Sequence, residues 1–291
     1  MSPHMNDQAY NLRQKLNSIK NHSEAKTIAI ASGKGGVGKS NFALNFALSL
    51  TKQNKKVLIF DLDIGMGNID ILLGLSPQYS IVDMFEEHLS IYDVIETGPN
   101  SLSYIAAGSG LSKLFHLNES KSEYFFSQLQ EIIEWYDYIF FDMGAGVTDE
   151  SLNFILAANE CIVVTTPEPT SLTDAYAMIK HISNKQTTLP IYLLVNRAHS
   201  QKAGEQTMER LQDVVKQFLN KSIQPLGILP DDRTVTKAVS RQIPFVTYDE
   251  HSKVSRMIHN IVDQYVQNTI SIEKQTKFPF VSKLKRFMLE R

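Results

Sequence analysis

The stretch Ser32–Ser40 reads SGKGGVGKS, and from Gly33 onward it has the spacing G-x-x-x-x-G-K-S. It follows the apolar run Lys26–Ala31, which is typical of a buried strand, and it precedes Asn41–Leu50, whose pattern favours a helix. Glycines let a backbone wrap a phosphate group so that successive N–H groups point towards it. The start of the following helix adds unpaired N–H groups and a positive dipole end. The stretch therefore predicts a phosphate-binding loop.

The two residues that end this loop have specific expected contacts. Lys39 would reach the β- and γ-phosphates of a nucleotide, and the Ser40 hydroxyl would take a coordination position on Mg²⁺. Three of the glycines also match the G-x-G-x-x-G dinucleotide fingerprint, and Asp61 lies near the expected acidic position. A pyrophosphate above a Rossmann turn does not require lysine followed by serine, so the P-loop interpretation is preferred. A dinucleotide-dependent oxidoreductase is the remaining alternative here, and titration with ATP and NAD would distinguish the two.

Composition limits the classes of protein that fit. The chain has 291 residues, a formal net charge of -2, 43% hydrophobic residues and one cysteine, Cys161. This size fits one large domain with appended ends, and the net charge argues against a basic field over the whole chain. A single cysteine excludes an internal disulfide and favours a small buried side chain in a reducing cytosol. No apolar stretch reaches the roughly 18 residues that a membrane-spanning helix needs.

Strand and helix patterns alternate along the chain, which predicts βαβ units and an α/β fold with a mostly parallel sheet flanked by helices. The further predicted strands are Lys56–Asp61, Ser101–Ala106, Tyr138–Asp142, Cys161–Thr165, Ile191–Val195 and Pro225–Ile228. The further predicted helices are Glu123–Trp135, Ser171–His181, Gln206–Leu219 and Lys253–Tyr265. We expect an N-terminal extension over residues 1–25, a nucleotide-binding domain over 26–267, and a linker with a terminal helix over 268–291.

The loop resembles the deviant Walker A motif of the MinD/ParA superfamily, whose mark is an additional lysine, here Lys34. The resemblance implies that Lys34 reaches across a dimer to the partner's nucleotide. Positive charge beside the departing phosphate favours phosphoryl transfer, so a lysine from a second subunit would make hydrolysis depend on dimerisation. The alternative is a solvated loop lysine. The resemblance also implies ATP contacts from Gly33, Lys34, Gly35, Gly36, Val37, Gly38, Lys39, Ser40 and Asn41.

Two carboxylates follow the second predicted strand, in the segment Asp61–Asn68. This D-x-D-x-G-x-x-N segment resembles switch I of MinD-like ATPases. The resemblance implies that Asp63 orients or activates the attacking water and that Asp61 acts near the metal. Both lie just past a strand's carboxyl end, where α/β sheets bind ligands. The alternative is that one of them caps a helix or serves a turn.

The apolar run Tyr138–Asp142 has the form of a Walker B strand that ends in aspartate. Asp142 would hold Mg²⁺, through water. The next four residues, Met143–Gly146, resemble switch II, whose glycines allow the backbone to rearrange when the γ-phosphate leaves. Many relatives have a proline where this chain has Gly144.

Two later segments resemble the family's base-binding positions. Asn196 and Arg197 follow a predicted strand, and the resemblance implies that the asparagine amide pairs with the adenine edge. Pro230 and Asp231 belong to a segment that would pack on the base. Asparagine after a strand is also a common turn residue, which is the alternative. The resemblance covers about residues 26–265, and the iron–sulfur branches of the superfamily are excluded because they need paired cysteines.

The C-terminal segment Phe278–Arg291 reads FPFVSKLKRFMLER and carries a charge of +3, from four basic residues and one acid. Its apolar residues fall on one helical face, and the basic residues flank that face. This pattern is typical of a helix that lies on an anionic membrane surface. The alternative is an ordinary terminal helix docked on the core. The predicted membrane-contacting residues are Phe280, Val281, Lys283, Leu284, Lys285, Arg286, Phe287 and Met288.

The N-terminal extension contains the string DQAYNLR, within a predicted short helix over Asp7–Lys20. The string resembles the D-Q-A-x-x-L-R motif of the FlhG/YlxH/FleN family, MinD-like ATPases that govern flagellar number and placement. In that family the motif stimulates the GTPase of FlhF, a signal-recognition-type flagellar protein. The alternative is a short helix that caps the surface. The predicted partner-activating residues are Asp7, Gln8, Ala9, Leu12 and Arg13.

Together these resemblances imply a switch that dimerises with ATP and Mg²⁺, attaches to the membrane as a dimer, and returns to the cytoplasm after hydrolysis. They imply FlhF and flagellar switch-complex proteins as partners, and DNA is not expected. A MinD-type regulator of the division site is one alternative, but the N-terminal motif is not expected there. A ParA-type DNA-partitioning ATPase is another, and it would need basic patches on the core.

Overall fold

The computed structural model describes residues 24–63, 67–108, 119–146, 148–185, 188–270 and 279–289. Its strands are β1 (Lys26–Ser32), β2 (Val57–Leu62), β3 (Glu96–Thr97), β4 (Ser103–Ile105), β5 (Tyr138–Ala145), β6 (Glu160–Thr165), β7 (Ile191–Ala198) and β8 (Gln224–Pro230). They form one sheet in the order β3-β4-β2-β5-β1-β6-β7-β8. β3 and β4 pair antiparallel, and the other neighbours pair parallel. The predicted α/β class with a mostly parallel sheet is confirmed.

Helices cover both faces of this sheet. They are α1 (Lys39–Thr51), α2 (Ile69–Leu73), α3 (Ile81–Glu86), α4 (Glu119–Ile132), α5 (Asp149–Ala157), α6 (Pro169–Lys185), α7 (Gln201–Leu219), α8 (Arg233–Ser240), α9 (Phe245–Tyr248), α10 (Lys253–Ile270) and α11 (Phe280–Leu289). Two apolar clusters fill the space between helices and sheet, one around α1 and α10 and the other around α4, α5, α6 and α11. Every residue of β2 and β6 is buried, as expected for strands covered on both faces.

Several strands are longer than the sequence predicts. β5 continues three residues past Asp142, because Ser32 of β1 pairs with Ala145. β7 and β8 also continue, and Ala198 pairs with Pro230 at their ends. The predicted strand Ser101–Ala106 is reduced to the three residues of β4. These ends are set by pairing with a neighbouring strand, which a local pattern does not contain.

Helix boundaries differ in the same way. α10 runs to Ile270, five residues past the predicted helix end at Tyr265. The short helices α2, α3, α8 and α9 were not predicted, although Ser80 and Asp83 form a capping box at the start of α3. The predicted helix over Asp7–Lys20 lies outside the described residues. Within the described ranges, no helix is long and apolar enough to cross a membrane.

Candidate nucleotide-binding and switch site

The predicted phosphate loop connects β1 to α1 at the carboxyl edge of the sheet. Gly36 and Gly38 have φ values of 76° and 88°, in the left-handed region that favours glycine. A Cβ at Gly38 would overlap the side-chain amide of Asn196, whereas a Cβ at Gly36 would meet nothing within 4 Å. The N-cap of α1 is Gly38, which has no side chain that could cap the helix. The first N–H groups of α1 are therefore available to a bound anion.

Lys39 and Asp142 form a buried ion pair beneath this loop. Lys39 Nζ lies 2.6 Å from Asp142 Oδ1, and the side chains are 6% and 0% exposed. Burial raises the pKa of the Asp142 carboxyl, and the Lys39 ammonium opposes that rise. The second oxygen of Asp142, Oδ2, is buried without a hydrogen-bond partner among the described residues. An orphaned buried oxygen suits an ion or water.

This pair lies next to the Ser40 hydroxyl, which accepts a hydrogen bond from Lys39 Nζ at 3.3 Å. A hydroxyl and a carboxylate oxygen are ligands that Mg²⁺ accepts beside nucleotide phosphates. The side chains of Ser40 and Asp142 therefore fit a Mg²⁺–nucleotide complex, with the phosphates as replacement partners for Lys39.

Asp61 is the neighbour of Asp142, because β2 and β5 pair in register at these residues. Its Oδ1 accepts a hydrogen bond from the backbone N–H of Asp63 at 3.1 Å. Its Oδ2 accepts from the N–H groups of Asn68 at 2.8 Å and Ile69 at 3.1 Å. Burial, and then the charge of Asp142, raise the pKa of Asp61 to about 7. The three N–H groups lower this pKa but do not offset the rise. Asp61 therefore ties the predicted switch I to the start of α2, and its role near the metal stays a prediction.

This raised pKa predicts a pH-dependent stability of the nucleotide-free chain. The pKa of Asp61 is about 7 in the folded state, against 3.8 for an ordinary aspartate. The folded state therefore binds more protons between these values, and the free energy of unfolding falls as the pH rises through that window. Urea unfolding in EDTA at several pH values measures the slope of the free energy of unfolding against pH. Asp61→Asn is expected to flatten it, and Asp263→Asn, at an exposed carboxyl, is expected to leave it unchanged. Equal slopes in wild type and Asp61→Asn would contradict this assignment.

Asp63, the predicted catalytic carboxylate, lies over Gly144. A Cβ at Gly144 would stand 3.3 Å from Asp63 Oδ1. The predicted switches I and II are thus in contact through these two residues. The first three residues of the predicted switch II segment, Met143–Ala145, continue β5. Glycine leaves room for the Asp63 carboxylate, which a larger side chain would crowd.

Lys34 and Lys39, the two lysines of the loop, have different environments. Lys34 Nζ donates to Glu168 Oε2 at 2.9 Å and to Thr170 Oγ1 at 3.0 Å, and its side chain is 39% exposed. The hydrogen bond and charge of Lys34 lower the pKa of Glu168. Neither Glu168 nor Thr170 was singled out in the sequence. Their position in the sequence could have indicated them, because both residues follow the carboxyl end of β6, and parallel sheets bind ligands at that edge.

The predicted base-binding residues converge on the same edge. Asn196 Nδ2 donates to the carbonyl oxygen of Val37 in the phosphate loop at 2.8 Å. Arg197 has a φ of 55°, and its Nε lies 3.9 Å from Asp231 Oδ1. The expectation that Asn196 and Arg197 follow a strand is wrong, since both lie within β7, and Pro230 ends β8. The structure brings Asn196 to the phosphate loop, and the contact of these residues with a base stays a prediction.

The C-terminal helix α11 is docked on the domain. Phe280 stacks on Phe141 with ring centroids 4.8 Å apart and planes at 18°. Val281 and Leu284 are buried in the same cluster, while Lys283, Phe287 and Met288 are half-buried and Lys285 and Arg286 are exposed. In this structure α11 is therefore packed on the core, which is the alternative to a membrane-bound helix given in the sequence analysis. Residues 7–13, with the predicted partner-activating motif, lie outside the described residues.

Comparisons with known proteins identify relatives of this chain. The ParA family profile, described as NUBPL iron-transfer P-loop NTPase, matches residues 23–266. Antiactivator FleN of Pseudomonas aeruginosa is 36% identical over 217 residues, which cover 75% of this chain and 78% of FleN. The flagellum site-determining protein YlxH of Helicobacter pylori is 35% identical over 210 residues, covering 72% of this chain and 71% of YlxH.

A solved structure gives the same fold. The septum site-determining protein MinD from Pyrococcus horikoshii OT3, complexed with Mg-ADP, superposes with a TM-score of 0.70 at 24% identity, covering 86% of this chain and 100% of that chain. At this identity the likeness shows the fold alone. The family profile and the curated relatives together show that the chain belongs to the MinD/ParA family of P-loop ATPases and, within it, to the FlhG/YlxH/FleN type.

Proposed function

We propose that this ATPase is a dimerisation switch that depends on ATP and Mg²⁺ and regulates flagellar number and placement. The two lysines of the loop differ in burial and in their ion-pair partners, and this difference supports the proposal most directly. Lys39 is buried against Asp142, where nucleotide phosphates would replace the carboxylate. Lys34 lies on the rim of the site, where it contacts exposed residues of the same chain. A lysine in that position is available to a second copy of the chain.

The residues of the site would divide the chemistry as follows. Lys39 and the N–H groups at the start of α1 would hold the phosphates. Ser40 and Asp142 would hold Mg²⁺, which neutralises charge on the phosphate oxygens when it is bound. Asp63 would orient the attacking water, and Lys34 of the partner copy would stabilise the departing phosphate. Asn196 would exchange its contact with Val37 for the base.

The dimer is tested with Asp63→Ala, which is expected to bind ATP without hydrolysing it. Size exclusion with light scattering should give a monomer in ADP and a dimer in ATP with Mg²⁺. The same variant that also carries Lys39→Ala is the matched control, because it lacks the lysine that would hold the phosphates, and it should remain monomeric under both conditions. A monomer in both nucleotides for Asp63→Ala itself would contradict the proposed switch.

Membrane attachment would require α11 to leave its docking surface. The surface includes Phe141, which is adjacent to Asp142 in β5, and α5, which begins at Asp149 shortly after the predicted switch II. A rearrangement of switch II would therefore act on the elements that hold α11. Release would expose Phe280, Val281 and Leu284 to lipid. Two helices on one dimer would bind more tightly than one through effective concentration.

Cosedimentation with vesicles of phosphatidylglycerol and phosphatidylcholine tests this step. We expect binding with ATP and Mg²⁺ and little binding with ADP, and we expect deletion of residues 279–291 to abolish it. Lys285→Ala/Arg286→Ala is a sharper variant, because both side chains are exposed in the docked state. Their removal loses only the exposed ion pair of Lys285 with Glu123 and the contact of Arg286 with the Phe287 ring. This variant should fold normally and lose its binding to anionic vesicles. Unchanged binding after the deletion would refute the membrane role of α11.

The flagellar role rests on the names of the relatives. FleN is named an antiactivator and YlxH a flagellum site-determining protein. The N-terminal motif supports stimulation of the FlhF GTPase, and contacts with flagellar switch-complex proteins follow from the family alone. A peptide of residues 1–23 should raise GTP hydrolysis by FlhF. Gln8→Ala and Arg13→Ala peptides and a scrambled peptide should not.

A MinD-type role at the division site is the second candidate. MinD of Helicobacter pylori is 30% identical over 273 residues, covering 90% of this chain and 98% of that protein. Its match is longer than that of FleN but less identical. Failure of the peptide to stimulate FlhF would favour this candidate.

A further inference from the structure

Two exposed aromatic side chains lie together beside the carboxyl end of α4. Tyr92 and Trp135 are 44% and 38% exposed, and their ring centroids are 5.7 Å apart with the rings edge to face. The hydroxyl of Tyr92 donates to the carbonyl oxygen of Glu131 at 3.5 Å, and the N–H of Ile91 donates to Gln128 Oε1 at 2.7 Å. The pair is therefore held on α4 while both rings remain open to water. Tyrosine and tryptophan in such a position are typical of a contact surface.

The segments that build this surface are acidic. Residues 81–97 and 119–137 together contain ten acidic residues and one lysine, a net charge of -9, whereas the whole chain carries -2. Glu134 directly precedes Trp135, Glu131 lies three residues earlier, and both glutamates are exposed. Among the described residues, no ion pair joins either of them to a cation. We call Tyr92, Glu131, Glu134 and Trp135 the Trp135 surface, and its charge complements an occupant with apolar and basic side chains.

The N-terminal extension, residues 1–23, joins the domain at the Trp135 surface. The backbone N–H of Ala25 donates to the carbonyl oxygen of Ile133 at 2.8 Å, and that of Lys26 donates to the carbonyl oxygen of Asp137 at 2.9 Å. Trp135 lies midway between these two anchoring positions in the sequence. The extension itself lies outside the described residues, but the point from which it departs is fixed beside this surface.

The extension has the composition that the Trp135 surface requires. It contains three basic residues and one acidic residue, a net charge of +2 that is opposite in sign to the surface. The helix predicted over Asp7–Lys20 has three large apolar residues at i, i+4 and i+7, which place them on one helical face. Its large apolar residues are Leu12, Leu16 and Ile19, and its basic residues are Arg13, Lys15 and Lys20.

The connection between this predicted helix and the domain is short. Lys20 is five positions before Ala25, so even a fully extended chain keeps the two within about 18 Å of each other. A tether of this length gives an effective concentration in the millimolar range, which allows a contact that would be weak between separate molecules. The extension is thus the occupant that reaches the Trp135 surface most readily.

We propose that residues 1–23 dock on the Trp135 surface of their own chain. The apolar face of the predicted helix would cover Tyr92 and Trp135, and its basic residues would lie next to Glu131 and Glu134. The predicted partner-activating residues Leu12 and Arg13 are part of this helix, so docking would withhold the motif from FlhF. That consequence rests on the proposed function, whereas the docking itself is tested without FlhF.

Acrylamide quenching of fluorescence in the nucleotide-free full chain tests the docking, because Trp135 is the one tryptophan of the sequence. A chain that lacks residues 1–22 should show about twice the Stern–Volmer constant of the full chain, since an occupant excludes solvent from the centre of a contact surface but not from its rim. In about 1 M NaCl, where the Debye length is about 3 Å, the full chain should move towards the shortened chain. Equal constants for the two chains at low salt would overturn the proposal.

Charge reversal in the extension makes the test specific. The full chain with Lys15→Glu/Lys20→Glu should be quenched as readily as the shortened chain, because its extension would be repelled by the surface. Lys202→Glu/Lys216→Glu is the matched control, since it changes the net charge equally at two exposed lysines of α7. This control should be quenched as wild type is. If the two double variants gave the same constant, direct docking of the basic residues would be refuted.

The reverse change on the surface completes a charge swap. Glu131→Lys/Glu134→Lys should remove the protection of Trp135, and its combination with Lys15→Glu/Lys20→Glu should restore it. Each protein is compared with its own form that lacks residues 1–22, which corrects for local effects on the fluorescence. Protection that grows with protein concentration would assign the surface to the extension of a second copy and would overturn docking within one chain.

A second arm measures GTP hydrolysis by FlhF in the presence of Glu131→Lys/Glu134→Lys, whose extension is intact. This variant should stimulate FlhF more than wild type does. Protection of Trp135 in wild type together with equal stimulation by both proteins would support the docking and refute the withholding of the motif. Failure of both proteins to stimulate FlhF would count against the proposed function, and the quenching result is independent of it.

Discussion

Replacing Asp142 by alanine is expected to lower the free energy of unfolding of the nucleotide-free chain by about 3–5 kcal/mol and to stop ATP hydrolysis. The reason is the ammonium group of Lys39, which is 6% exposed and would lose its carboxylate partner at 2.6 Å. A buried charge without a partner is strongly destabilising. Urea unfolding measures the change. If Asp142→Ala had the same free energy of unfolding as wild type, the claim that Asp142 compensates the buried charge of Lys39 would be contradicted.

Two controls separate the charge from the loss of packing. The double variant Lys39→Met/Asp142→Leu removes both charges at once and should recover most of the lost stability without any hydrolysis. ATP without Mg²⁺ should stabilise Asp142→Ala more than it stabilises wild type, because the phosphates would give Lys39 a new partner. Equal stabilisation of both proteins would indicate that Lys39 does not reach the phosphates.

Replacing Lys34 by alanine is expected to reduce hydrolysis by about 10²- to 10³-fold, the usual effect of losing one group that stabilises the transition state. ATP binding to the monomer and thermal stability should change little. The ion pair of Lys34 with Glu168 has side chains that are 39% and 59% exposed, and such pairs contribute little to folding. Steady-state hydrolysis and an ATP titration measure the two effects separately.

Lys216→Ala is the matched control for Lys34→Ala, because this lysine is exposed on α7, away from the loop. It should hydrolyse ATP at the wild-type rate. A Lys34→Ala protein with wild-type turnover would mean that Lys34 is a solvated loop lysine, which is the alternative that the sequence left open.

The phosphate loop and the parallel sheet could be predicted because their signals are local. Gly38, Lys39 and Ser40 lie directly between a strand pattern and a helix pattern, and the structure has β1, the loop and α1 in that order. The contact of Lys34 with Glu168 could not be predicted, since the two residues are 134 positions apart. It arises only when β6 pairs with β1. The extended ends of β5 and β7 depend on pairing in the same way.

The C-terminal helix shows a different limit. The same apolar face, with Phe280 and Leu284, would bury itself either in lipid or on the domain, so periodicity alone does not separate the two. The structure shows the docked arrangement, in which Leu284 is fully buried.

Mixing Lys34→Ala with Asp63→Ala tests the central claim, that Lys34 acts across a dimer. Each variant alone should be nearly inactive. A mixed dimer would contain one site with the Asp63 of its own chain and the Lys34 of the partner. In an equal mixture half the dimers are mixed and one site in each is complete, so about one quarter of wild-type activity should return. Mixed dimers that form, as shown by cross-linking of differently tagged chains, but hydrolyse no faster than either variant alone would contradict the account.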